Sequence, residues 1–335
     1  MSPPHGGSDL ILAATRNGVA RATVDAAGTW SVERPLTGQR VHCLAAVPGG
    51  GGDTVLVGTE DAGVLRSDDR GVTWAACGHV DRPVRSLAVS PHDPGLVYAG
   101  VRPAGILRTR DGAATWEELG GFRRIRWRRL WFSPAGPRFT AYVHAIALSP
   151  TDPGVVVAGI EFGAVVRSAD GGDTWTGHRP GAMRDCHALC FHATDGAHVY
   201  EGGYGGAALS ADAGLTWTRP AEGLDRKYGW AVAADPERPD VCYVAVAPGP
   251  GRAHGAKAAE AYVFRRVGAR PWEKLGGGLP QPLDHMPYAL VTDPGRPGAV
   301  TAGLANGDVW RSTDLGETWS QLPVALPPLA AMLVL

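Results

Sequence analysis

The chain has 335 residues, 44% hydrophobic and 19% charged, with 47 glycines, 27 prolines and a formal net charge of −1. That balance describes a globular, turn-rich protein and excludes a disordered one, and the near-zero charge gives no global drive toward nucleic acid or an anionic membrane. No apolar run reaches the length of a membrane span and the N-terminus MSPPHGGSDL lacks a leader pattern, while five cysteines without a CxxC pair suit reduced thiols in a cytoplasmic protein.

Residues 1–7 are expected to form a disordered tail before a single domain covering 8–335. The first strand, LILAATR (10–16), is followed by a unit that then recurs along the chain. Each unit opens on one apolar run, as in HCLAAVP (42–48), RSLAVSP (85–91), HAIALSP (144–150), HALCFHA (187–193), WAVAADP (230–236) and YALVTDP (288–294). A second run follows, as in TVLVGTE (54–60), LVYAGVR (96–102), VVVAGIE (155–161) and HVYEGGY (198–204). A third, such as GVLRS or AVVRS, leads into a polar box ending in Trp: SDDRGVTW (67–74), TRDGAATW (109–116), SADGGDTW (168–175), SADAGLTW (210–217) and STDLGETW (312–319). The closing Trp or its equivalent falls at 30, 74, 116, 175, 217, 272 and 319, a period near 42–47 broken by two insertions. Short β-branched runs with Gly, Pro and Asp punctuation are strands, and four per unit at this period predict a β-propeller.

The chain starts at a second-type strand and ends on LAAMLVL (329–335), a first-type strand without a unit of its own. The prediction is therefore an all-β, seven-bladed propeller, closed by the C-terminal strand joining the N-terminal blade, with no free sheet edge. In the box, Ser and Asp side chains suit turn amides, Gly suits the left-handed backbone, and Trp anchors the blade. Asp69, Asp170, Asp212 and Asp314 are too sparse for a calcium cage, so the boxes read as structure.

The boxes resemble the Asp-box (BNR) repeats of sialidases, xyloglucanases, sortilin-type receptors and the photosystem II stability/assembly factor family. The pattern PxDPxxVYAG…GVxRSxDxGxTW is most similar to the assembly-factor-like group and covers nearly the whole chain. The resemblance implies the propeller fold, with the boxes lying away from the working face; it speaks to fold far more than to function. The sialidase Phe/Tyr-Arg-Ile-Pro motif is absent, the nearest stretch being FRRIR (122–126).

Strand direction puts the starts of first strands and the ends of second strands on the face opposite the boxes. Repeat phase then gives two rings: His42, Arg85, His144, His187, Trp230, Tyr288 and Leu329, and Arg16, Glu60, Arg102, Glu161, Tyr204, Pro248 and Ala305. Their polar and aromatic diversity suggests a central pocket. Glu161, Glu60 and His187 are candidate acid–base groups. His42, Arg85, Arg102, His144, Tyr204, Trp230, Tyr288 and Arg126 are candidate ligand contacts, and His42, His144 and His187 candidate ligands of a divalent metal at the channel mouth.

The insertion GGFRRIRWRRLWFSPAGPRF (120–139) carries Arg123, Arg124, Arg126, Arg128, Arg129 and Arg138 with no acid, so +6 sits here against −7 on the remainder. Together with PGPGRAHGAKAAEA (248–261), it is expected on the box-distal face. The sequence reads as a binding or assembly scaffold for a small molecule, glycan or protein. An enzyme of hydrolase (glycosidase-like) or lyase type acting in the pocket is the alternative.

Overall fold

The computed structural model describes residues 10–49, 53–134, 139–255 and 258–335. Tail residues 1–7 and Arg138 lie outside this set. Seven antiparallel sheets form a seven-bladed propeller. Blade 1 pairs Leu329–Val334 with Leu10–Thr15, followed by Gly18–Val24 and Trp30–Thr37. Leu10 and Leu335 exchange backbone hydrogen bonds of 3.1 and 2.9 Å, so the last strand locks the ring.

The inner strands of blades 2 to 7 are Val41–Ala46, Val84–Val89, Val143–Leu148, Cys186–Phe191, Tyr228–Ala234 and Pro287–Thr292. Second strands such as Val97–Val101 and Val156–Ile160 are buried along their whole length, because both their faces meet neighbouring blades. The core therefore lies between blades. Gly100 shows the closeness required: a Cβ there would stand 2.3 Å from Ser86 Oγ and 2.7 Å from Val143 Cγ1 of the next blade.

Four strands per unit is the expectation; blades 4 and 5 have three strands and a single bridge each, Arg167 to Thr176 and Leu209 to Thr218, in place of the fourth. Thr176 is followed by Gly177, and Pro220, two residues past Thr218, has no N–H for a ladder.

Each box is a closed hydrogen-bond unit. Ser67 Oγ donates to Asp69 Oδ1 (2.7 Å) and accepts from Gly71 N (2.8 Å), while Asp69 accepts from Thr73 N (2.8 Å) and Thr73 Oγ1 (2.6 Å). Trp74 Nε1 donates to Gly71 O at 3.1 Å. The same set recurs around Asp170, Asp212 and Asp314. The looser copy departs at its Trp: Trp116 Nε1 reaches across to Cys77 O of the preceding blade.

The first insertion corrects an expectation. It does not lie wholly on the box-distal face but climbs the seam between blades 3 and 4. The fourth strand of blade 3 is only Glu117–Glu118, so the chain leaves the sheet near the box end. Phe122, fully buried in the helical turn Gly120–Arg123, meets Trp175 edge-on with centroids 5.6 Å apart. Arg128 then donates to Ala104 O of blade 3, and Phe132 N to Phe162 O of blade 4.

Candidate functional site

A β-bulge interrupts every inner strand near its start, and it builds the site. Val41 pairs with Thr59 and Cys43 with Gly58, leaving His42 unpaired. Arg85, His144, His187 and Tyr288 are left out in the same way, and Trp230 falls within the bulge of its strand. A bulge frees one residue from the ladder and re-aims its side chain. These six residues line one central channel of about 500 Å³. In blade 1 the extra residue is Ala330, since Ala331 pairs with Ala14 and Leu329 with Thr15. Leu329, expected in the ring, is instead buried in the core: a one-residue change of phase moves a side chain to the other face.

On one side of the mouth, basic groups surround Glu60. His42 Nε2 donates to Glu60 Oε2 at 2.6 Å, Arg102 donates to Glu60 Oε1, and Arg85 Nη1 stands 3.5 Å from Oε2 and 3.1 Å from His42 Nε2. Burial works to raise Glu60, but the bond from His42 and the charge of Arg102 outweigh it and hold the carboxyl below its ordinary range. His42 is pushed down to about 4 by burial and by Arg85, so its imidazole is neutral at pH 7. Two guanidinium charges thus face one carboxylate. Arg85 also lies over the Tyr142 ring at 4.5 Å, and its Nε has no partner among the described residues.

The opposite side is aromatic. Trp230 contacts His187 (4.8 Å between centroids), His144 (5.2 Å), Tyr288 (5.4 Å) and His254 (4.7 Å). His254, from the second insertion, bridges two tyrosines: Tyr228 Oη is 2.8 Å from Nε2 and Tyr288 Oη 2.8 Å from Nδ1. Burial among these rings and the nearby His187 lower its pKa.

Buried acids lie between these two sides. Glu161 accepts from Ser133 Oγ at 2.8 Å, and burial raises its pKa. His187 Nδ1 donates to Gly229 O at 2.7 Å, and its Nε2 is 3.3 Å from Asp185 Oδ1. Asp185 Oδ2 has no partner among the described residues. His144 lies beside the Cys186 backbone of the next blade, its Nδ1 buried without a hydrogen-bond partner among the described residues, and burial carries its pKa well below the ordinary value.

Other expected site residues sit further out. Tyr204 is exposed, edge-on to Tyr228 at 6.3 Å. Arg16 and Pro248 are exposed, and Ala305 is half-buried. Arg126 is exposed on the seam insertion with its guanidinium over Trp127, outside the channel lining. The three histidines expected to ligate a metal do not form a ligand set: among the described residues no group of three or more His, Cys, Asp or Glu side chains is placed to hold an ion. The physical reason is that His42 is held by Glu60 and separated from His144 by Arg85, while His187 is turned toward the Gly229 carbonyl.

Tyr142, Asp185 and Tyr228, absent from the sequence candidates, each stand two residues before a ring position. The period of two along a strand gives the signal that would have found them. Ser133 and His254 lie in insertions with no repeat phase and carry no such signal.

No family model and no curated protein matches the chain. Solved structures do. A GH74 enzyme of Niastella koreensis is similar over 93% of this chain and 52% of its own, with 16% identity and a TM-score of 0.69. The GH74 xyloglucanase of Xanthomonas campestris is similar over 84% and 45%, with 20% identity and a TM-score of 0.60. YCF48 of Cyanidioschyzon merolae is similar over 86% and 87%, with 12% identity and a TM-score of 0.57, and a YCF48 bound to D1 peptide has a TM-score of 0.55 at 16% identity over 84% and 81%. The chain spans about half the length of the GH74 enzymes or less. At these identities the likeness is one of fold.

Proposed function

We propose that the channel mouth binds a small carboxylated ligand with a flat apolar face, a class that carboxylated sugars represent well. One observation carries this reading: Arg85 and Arg102 share the single carboxylate of Glu60 on a channel whose far wall is Trp230 and Tyr288. Guanidinium groups take carboxylates in a planar fork, and aromatic rings take the apolar face of a sugar. Isothermal titration with a hexuronate and with the matching neutral hexose tests it. Binding of the acid alone, weakened at least tenfold by Arg102→Ala and by Trp230→Ala, is expected; equal binding of both sugars would count against the guanidinium role.

A second reading is favoured by a separate surface. On the seam insertion and beside it, Trp127, Leu130, Phe132, Phe139 and Phe162 are exposed, flanked by exposed Arg124, Arg126 and Arg129. An apolar ridge edged by arginines suits a protein or peptide partner with acidic side chains, in keeping with the scaffold role and with the peptide-bound YCF48 structure. Replacing Trp127 and Leu130 with Ser is expected to abolish such binding while leaving the channel ligand's affinity unchanged. The free cysteines suit a reducing, cytoplasmic setting. The Asp-box class of repeat fits the turn geometry.

A further inference from the structure

We propose that the mouth carries out β-elimination on a uronate sugar, with Arg85 and Arg102 holding the carboxylate, His144 taking the proton α to it, and Tyr288, positioned by His254, protonating the leaving oxygen. The proposal rests on the carboxylated-ligand reading above and adds chemistry to it.

The chemistry needs three things, and the mouth has a group for each. First, a carboxylate lowers the acidity of its α C–H unless its charge is neutralised; two guanidinium groups against one carboxylate leave positive charge for that purpose. Second, a base is needed. His144 holds the bulge position equivalent to His187 and lies beside the Cys186 backbone of the next blade, without the hydrogen bond to a carbonyl that fixes His187. Its Nδ1 is buried and has no hydrogen-bond partner among the described residues. The ring lines the channel and is neutral, so the imidazole has a lone pair to offer. The ring packs edge-on against Tyr142 at 5.4 Å, over which Arg85 lies, and against Trp230 at 5.2 Å, which also meets His254 and Tyr288, so it stands between the carboxylate side and the tyrosine side.

Third, an acid is needed. In the chain Tyr228–His254–Tyr288 a neutral imidazole has one N–H and one lone pair. Tyr228 is buried, so its hydroxyl proton requires an acceptor, and His254 Nε2 is the one beside it at 2.8 Å. Tyr228 therefore donates to Nε2 and His254 Nδ1–H donates to Tyr288 Oη. This leaves the O–H of Tyr288 free to point into the channel that Tyr288 lines. Burial raises the pKa of Tyr288 and keeps it a proton donor at pH 7.

The step balances without a cofactor or water. His144 removes the α proton, the C–H electron pair becomes the C=C bond, the β C–O bond breaks, and the leaving oxygen takes the proton of Tyr288. After release, His144 returns its proton to solvent and Tyr288 is reprotonated.

The full chain is incubated with oligogalacturonate and with glucuronate-containing oligosaccharides. The conjugated unsaturated uronate is followed by ultraviolet absorbance and mass spectrometry, and binding is measured in parallel by calorimetry. The expected result is an unsaturated product one water lighter than the hydrolytic fragment, formed about 10²–10⁴-fold more slowly by His144→Asn and by Tyr288→Phe, with binding retained. His254→Gln is expected to lower kcat with little change in KM and to displace the limb of the pH profile that reports the acid, which a merely structural role would not do. Binding without unsaturated product overturns the elimination and leaves the ligand class standing. No binding to any of these sugars overturns both. Wild-type rates from Tyr288→Phe and His144→Asn, both folded by melting temperature, also reject the proposal.

Discussion

Glu201 takes the backbone N–H of Met183 on both of its carboxylate oxygens, at 3.2 and 3.0 Å, with none of the residue exposed to solvent. It belongs to the second strand of blade 5, and its burial raises its pKa from 4.5 to about 8. A carboxyl whose folded pKa is raised binds more protons in the folded state between those two values. Stability from this group is thus fully present below about pH 4.5 and is lost as pH rises to about 8. Melting temperature should fall across that window in the wild type relative to Glu201→Gln, which keeps the shape and removes the titration. Parallel curves for the two proteins would show that Glu201 is not protonated in the fold.

The box aspartates act in the opposite sense. Asp170 accepts from Thr174 Oγ1 at 2.5 Å, from Thr174 N at 2.8 Å and from Ser168 Oγ at 2.7 Å, and these bonds hold its carboxyl at about 2. Its contribution is present above about pH 4 and lost as pH falls toward 2. Asp170→Ala should lower the melting temperature at pH 7 and flatten its acid decline, with no effect on binding at the opposite face. Thermal scans from neutral to acid pH, with ligand titrations at pH 7, check both halves.

Gly100→Ala should destabilise the fold by about 1–3 kcal/mol, the cost of overpacking a closed core. The added methyl would meet Ser86 Oγ and Val143 Cγ1 at the seam of blades 3 and 4, within 2.7 Å. Urea unfolding measures it. A neutral outcome would mean that the blades separate there without penalty.

Removal of residues 329–335 strips blade 1 of its inner strand and exposes the edge of Leu10–Thr15. The expected product aggregates or unfolds without a cooperative transition, as judged by calorimetry and light scattering. A soluble truncation with a single sharp transition would show that ring closure is dispensable.

The blade repeat was legible because its causes are local: strand-forming runs, the Ser-x-Asp-x-Gly-x-Thr-Trp turn and the terminal half-blade all repeat in linear order. The ring of His42, Arg85, His144, His187, Trp230 and Tyr288 was legible by the same phase. Leu329 was placed one residue early because a bulge leaves no mark in the sequence; only the pairing of Ala331 with Ala14 shows that Ala330 is the extra residue. The neutral state of His42 and the engagement of Glu60 were hidden for a different reason. They depend on which of several charged neighbours a side chain meets across blades, and distances between blades are not encoded in any one unit. His254 was out of reach because its insertion occurs once.

The bulges also separate two kinds of selection on one strand. The residue each bulge frees makes no ladder pair, so a substitution there alters the channel rim without editing the sheet beneath it. Seven blades therefore offer seven variable letters on a constant frame, six of them now bearing large polar or aromatic groups. The seventh, Ala330, is blank. That gap breaks the symmetry of the rim between His42 and Tyr288, and it is the place where a new side chain would gain access to the ligand at the least expense to the fold.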